Sequence, residues 1–121
     1  MVDIEKISET AMEIISYSGL AKSCYLEALH FAKTGDFLQA DEKIKEGDKS
    51  FVQAHHGHGG LLQEEMEVQE PRIRLLMTHA EDQLMGAEMS KTFIMELMEL
   101  YKNQKKSSLP EVRMNKAFVT L

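Results

Sequence analysis

An all-α fold is predicted for this chain: a protomer of three long helices running up, down and up. Three observations carry that expectation. Gly and Pro are few, seven and two in 121 residues, and Val is scarce, so strands and tight hairpins have little to draw on. Apolar residues recur near the helical period through most of the chain. Strong helix punctuation falls at Thr34-Gly35-Asp36 and at the polar stretch that ends in Pro71, which divides the chain into three long segments.

The first helix should occupy residues 3–33, with Ile4, Ile7, Ala11, Ile14, Ile15 and Ser18 on one side. Gly19 predicts a bend or a brief break before the helix resumes from Ala21 to Lys33. At Thr34-Gly35-Asp36 the glycine can end one helix and the aspartate can cap the next. The second helix should run from Phe37 through Ala40, Ile44, Phe51, Val52 and Ala54 to about Met66. Glu67 to Glu70 reads as a short connection, and Pro71 suits the first turn of a third helix. No proline lies between Arg72 and Tyr101, and Leu, Met, Ala and Glu dominate there. Residues 1–103 thus form one helical domain. Residues 104–121, with Lys105-Lys106-Ser107-Ser108 and Pro110, read as a poorly ordered or loosely docked extension.

The third helix carries two apolar seams. Ile73, Met77, Ala80, Leu84, Ala87, Ile94 and Met98 form a stripe at helical spacing, enough to dock the helix into its own domain. Leu75, His79, Asp82, Gly86, Met89, Phe93, Glu96 and Leu100 form a second seam at heptad spacing. A helix with two faces to bury in so short a chain predicts that one face meets another subunit.

Composition narrows the function. Forty-three per cent hydrophobic and 28% charged residues describe a globular protein with a modest core. A net charge of −6 argues against nucleic acid and against an anionic membrane surface. No apolar run approaches the ~20 residues that span a bilayer, and the start, Met-Val-Asp-Ile-Glu-Lys, lacks a secretory leader pattern, so a cytoplasmic protein without direct membrane insertion is expected. The lone Cys24 fits a reducing compartment and reads as a small buried residue, with no histidine or base near it in sequence.

Chemistry is sought on the polar groups of the second seam. A histidine like His79 is more often a hydrogen-bonded structural residue than a catalytic one. Its place on the flank of the second seam, and Asp82 three residues on, raise the functional reading. A neutral imidazole nitrogen is a good nucleophile toward phosphorus. Asp82 sits among Leu75, Met89 and Phe93, where a lone buried carboxylate is costly. Copies around a symmetry axis could share a divalent cation, which oxygen ligands suit; a solvated notch is the other reading, and the residues leave both open. His55, His56 and His58 form a second cluster in which His55 and His58 could share a helix face as metal ligands. No third ligand completes a known pattern, and local helix packing is the preferred account. The nine methionines are read as core.

The run Thr78-His79-Ala80-Glu81-Asp82-Gln83-Leu84-Met85 resembles the His-Ala-Gln-Asp-His-Leu-Met signature of the lactose/cellobiose (and chitobiose) class of enzyme IIA in the bacterial phosphoenolpyruvate-dependent sugar phosphotransferase system. Other motifs agree in order. Ser18-Gly19-Leu20-Ala21-Lys22-Ser23 is similar to the family's Ser-Gly-x-Ala-Arg-Ser, and Ala32-Lys33-Thr34-Gly35-Asp36-Phe37 to its Ala-Lys-x-Gly-Asp-Phe. Glu27-Ala28-Leu29, Ala54-His55 with Leu61-Leu62-Gln63, and Glu99-Leu100-Tyr101-Lys102 also match, so the resemblance covers roughly 3–103.

That resemblance implies a phosphotransferase component assembled as a homotrimeric helical bundle. His79 would accept a phosphoryl group from phospho-HPr and pass it to a cysteine of the cognate enzyme IIB, which serves the membrane component IIC. Asp82 would meet its symmetry mates at the trimer axis with a divalent metal, Mg2+ being the expected ion. The sugar would be a β-glycoside of cellobiose, chitobiose or lactose type, with the His-Ala form leaning to the first two. Three departures stand out: Glu81 for Gln beside the phosphoryl site, Gln83 for His, and His58-Gly59 for Gln-Thr. Two competing readings are a non-catalytic oligomerisation module and a metal-binding module built on the histidine cluster.

Overall fold

A computed structural model of the chain describes residues 3–65 and 69–119, with side chains described for 3–60 and 69–105. Three helices follow one another: α1 (Ile4–Lys33), α2 (Phe37–Glu65) and α3 (Pro71–Val119), with no strand among the described residues. Both α2 and α3 pack chiefly against α1 and only lightly against each other. The all-α reading therefore holds for the protomer. Met66, the expected end of the second helix, and Glu67 and Val68 of the connection lie outside the described residues.

Local chemistry sets the ends. The Asp3 carboxylate accepts the backbone N–H of Lys6 at 3.1 Å and caps α1. At the other end Gly35 adopts φ 84, a left-handed conformation that costs glycine little. The chain then reverses, with the Gly35 N–H bonded to the Ala32 carbonyl at 3.1 Å and the Asp36 N–H to the Phe31 carbonyl at 2.9 Å. The Asp36 carboxylate accepts the Gln39 N–H at 3.2 Å and opens α2. Glu70 does the same for α3 through the Arg72 N–H at 3.0 Å. That backbone bond, with the Arg72 side chain second, holds the Glu70 carboxyl below its ordinary range.

The expected bend at Gly19 is absent: α1 is continuous through it. A mid-helix glycine costs ~1 kcal/mol relative to Ala. Ser18, Ala21 and Tyr25 are all buried on the flanking turns, so packing overrides that preference. The glycines of α2 are likewise accommodated, and two admit α1 closely. A Cβ on Gly47 would lie 2.7 Å from the Tyr25 ring, and one on Gly57 would lie 3.3 Å from Ile14.

The core has two parts. Ile7, Ala11, Ile14, Ala54, Met77, Ala80 and Leu84 form one, with Ile15, Phe51, Ile73 and Leu76 at its edge. Ala21, Tyr25, Ala28, Ala32, Ala40, Ile44, Ala87, Ile94 and Met98 form the other. Six of the seven residues of the first α3 stripe are thus buried, and Ile73 borders them. Val52 and Ile4, expected inside, are exposed. Ile4 belongs to the first turn of α1, and Val52 follows Phe51 around the outer side of α2.

Beyond Tyr101, α3 continues to Val119, so no helix break marks the 103/104 boundary. Its first extra turn is docked: the Lys105 ammonium donates to the Gly35 carbonyl at 3.3 Å and lies 5.5 Å from the Phe37 ring centroid.

Candidate functional site

His79 and Asp82 both stand exposed on α3, one turn apart on the same side. Around them the second seam is open. Leu75, Met89, Phe93 and Leu100 are 71%, 61%, 60% and 51% exposed, values that no ordinary core-facing apolar residue shows. At ~100° per residue this seam lies about half a turn from the buried stripe. One protomer thus covers one seam of α3 and leaves the other, with His79 and Asp82, facing outward. A contiguous apolar face of this kind marks an interaction surface.

The flanks of the site differ. On the side toward α1, the Lys22 ammonium donates to the Gln83 side-chain carbonyl at 2.8 Å. The same ammonium is the nearest group to a Cβ built on Gly86, at 3.7 Å. On the side toward α2, the Glu81 carboxylate lies 3.9 Å from His58 Nε2, both groups being mostly buried. Residues two apart on a helix do not face each other. The expectation that Glu81 lies beside the phosphoryl site is therefore corrected: Glu81 turns to α2 while His79 turns outward. His58, a departure from the family pattern, meets the second departure, Glu81.

Of the remaining histidines, His55 and His58 make ring contacts, while His30 and His56 are exposed. His55 stacks on Phe51 with centroids 6.1 Å apart, and its ring lies 6.3 Å from that of His58. Among the described residues no three His, Cys, Asp or Glu side chains converge to hold a metal ion. The seam's two carboxylates, Asp82 and Glu96, stand about 21 Å apart along the helix and cannot share an ion, so the donor chemistry at Asp82 fits magnesium or calcium only if copies of the chain combine. Cys24 is partly buried, and burial followed by the Glu46 and Glu27 carboxylates pushes its thiol up, against the pull of Lys43. A raised thiol is a poor nucleophile.

Two features were not legible beforehand. One is the Lys22–Gln83 contact, for which the single available signal is a charged residue set between Ala21 and Tyr25 on the inner half of α1. The other is a polar tie through all three helices. The fully buried Tyr25 donates its hydroxyl to Asp48 at 2.7 Å, and Lys91 pairs with the same carboxylate oxygen at 2.8 Å. Ser18 Oγ is buried with no hydrogen-bond partner among the described residues.

The protomer is thus three helices with an exposed histidine on the open apolar face of the last. Comparison with known proteins makes the class definite. A family model described as "PTS system, Lactose/Cellobiose specific IIA subunit" matches residues 9–102. The lactose-specific EIIA component of Staphylococcus aureus strain N315 is 35% identical over 98 residues, covering 81% of this chain and 95% of that protein. The lichenan-specific phosphotransferase enzyme IIA component of Bacillus subtilis is 34% identical over 97 residues, covering 80% and 88%. The crystal structure of the cellobiose-specific enzyme IIA from Bacillus anthracis superposes with a TM-score of 0.73 at 35% identity, covering 88% of this chain and 94% of that one. The chain belongs to the lactose/cellobiose-specific IIA family of the sugar phosphotransferase system, whose members are phosphotransferase components with a phosphocarrier role. No described helix is long and apolar enough to cross a membrane.

Proposed function

We propose that this chain is a phosphocarrier that accepts a phosphoryl group from phospho-HPr on His79 and hands it to a cysteine of a cognate enzyme IIB. The observation that carries the reading is the exposure of His79 on the open seam of α3, within the segment that the family model matches. In the first step a ring nitrogen of neutral His79 bonds to phosphorus as the bond from phosphorus to the HPr histidine breaks. In the second, a thiolate of the IIB protein bonds to the same phosphorus as the bond to His79 breaks, and His79 returns neutral. Such transfers proceed through loose, in-line transition states, so catalysis is positioning and charge stabilisation. An acceptor on an open helix face lets two partners approach in turn.

The same open seam supports assembly as a trimer. Three copies packed along α3 would cover Leu75, Met89, Phe93 and Leu100, each worth about 1.5–3 kcal/mol when fully removed from water. Asp82 would then meet its mates, and a shared divalent cation, magnesium by its hardness, would offset the gathered negative charge. Relatives named for lactose, lichenan and cellobiose support a β-glycoside pathway, with IIC as the indirect membrane partner and the cytoplasm as the working compartment.

Intact mass after incubation with phosphoenolpyruvate, enzyme I and HPr tests the reading. One acid-labile phosphoryl adduct is expected on wild type and none on His79→Ala. Phosphate retained by His79→Ala would remove the assignment. A trimeric wild type that takes no phosphate would instead support a purely structural oligomerisation module.

A further inference from the structure

The α1 flank of the seam carries a cation whose described partner is neutral. Lys43 pairs with Glu27 and Glu46, Lys91 with Asp48, and Lys102 with Asp41. The partly buried Lys22 instead donates to a neutral amide, Gln83, and no carboxylate lies within 4 Å of it among the described residues. Its charge is therefore held at α3 without being cancelled. Gln83 is four residues after His79, about 40° away around the helix, with Cβ atoms ~5–6 Å apart. Lys22 thus stands one turn from the nitrogen that receives the phosphoryl group, on the flank toward which His79 leans.

We propose that Lys22 is a phosphoryl-binding residue of this site. In the unphosphorylated protein Gln83 holds its ammonium. Once His79 carries the phosphoryl group, the flexible four-carbon stem swings the ammonium onto the phosphoryl oxygens, and Gln83 turns to solvent. A neutral amide suits the holding position, because it fixes the ammonium with one hydrogen bond and releases it to a dianion that attracts it more strongly. The pairing stabilises the phosphorylated state relative to the free one, so it pulls phosphate from HPr and slows its loss to water. The inference rests on His79 being the acceptor.

The test is the equilibrium of phosphoryl exchange between HPr and the full-length protein, with the half-life of the isolated phosphoprotein, in wild type, Lys22→Met, Lys22→Arg and Gln83→Leu. Lys22→Met keeps the apolar stem, so circular dichroism and trimer mass should match wild type. Its exchange equilibrium should fall roughly tenfold, the size of one charge-assisted hydrogen bond, and its phosphoprotein should hydrolyse faster. Lys22→Arg should restore both quantities. Gln83→Leu removes only the holding contact, so it should equal or exceed wild type. Equal equilibria for Lys22→Met and wild type would overturn the inference while leaving His79 as acceptor. A loss in Gln83→Leu matching that in Lys22→Met would overturn it too, showing the pair to be a structural tie. No phosphate on wild type would remove both readings.

Discussion

Alanine at Gly47 and alanine at Gly59 are the same substitution in the same helix, and the structure predicts opposite signs for them. A Cβ on Gly47 would sit 2.7 and 2.9 Å from two carbons of the Tyr25 ring and 3.1 Å from Cys24 Cβ. The ring cannot step aside cheaply, since Tyr25 is fully buried and its hydroxyl is bonded to Asp48 at 2.7 Å. The helix itself gains ~1 kcal/mol from Gly→Ala. Overpacking costs about 1–3 kcal/mol, and losing the Tyr25–Asp48 bond costs about 1–3 more where a buried group is left unpaired. The net is a loss of about 1–5 kcal/mol, or a Tm lower by about 4–20 °C in a domain of this size. Among the described residues nothing lies within 4 Å of a Cβ on the exposed Gly59, so the helix term decides and Tm should rise by a few degrees. Thermal unfolding followed by circular dichroism, at one protein concentration because assembly shifts Tm by mass action, reads both. A Gly47→Ala protein as stable as wild type would show that α1 and α2 do not approach as closely as described here.

Three further outcomes follow from other contacts. Burial, then the bond to Asp48, raises the Tyr25 phenol well above its ordinary range. The unfolded chain therefore loses that proton first, near pH ~10, so the contribution is intact below that value and declines as pH rises beyond it. Denaturant unfolding at pH 8 and pH 10.5 should show this decline in wild type and a smaller one in Tyr25→Phe; equal slopes would refute the assignment. The Cys24 thiol, pushed up first by burial and then by Glu46, should alkylate more slowly than a free thiol at pH 8, and Glu46→Gln should speed it; an unchanged rate would discount the carboxylate. If Asp82 meets its mates in the proposed metal-bearing trimer, Asp82→Leu should change metal content and assembly in native mass spectrometry, whereas unchanged metal and mass would remove the axial role.

Much of the fold was legible because periodicity and punctuation agree. Thr34-Gly35-Asp36 could only be a reversal, and Gly35 is the single described residue with positive φ. The two seams of α3 separated cleanly because a straight helix keeps them about half a turn apart. Gly19 misled because propensity is local while Ser18, Ala21 and Tyr25 are held from outside the segment. Glu81 misled for a geometric reason: adjacency in a motif is not adjacency on a helix face, and its partner, His58, lies on α2. The Tyr25–Asp48–Lys91 tie joins three helices, so no single segment holds a signal for it.

The departures of this chain from its family's motif make physical sense as pairs. Taken singly, Glu81 adds negative charge near the acceptor and Gln83 removes an imidazole, and both look like losses in a chain of net charge −6. The structure gives each a partner on another helix. Glu81 faces His58 on the α2 side, away from the open seam, so its charge is directed away from the proposed phosphoryl acceptor. Gln83 holds Lys22 on the α1 side without neutralising it. A carboxylate at position 83 would cancel that ammonium, as Asp48 does for Lys91. Positive charge is thus kept on the flank of His79 and negative charge is turned to α2, the distribution that the proposed transfer of an anion through His79 would require.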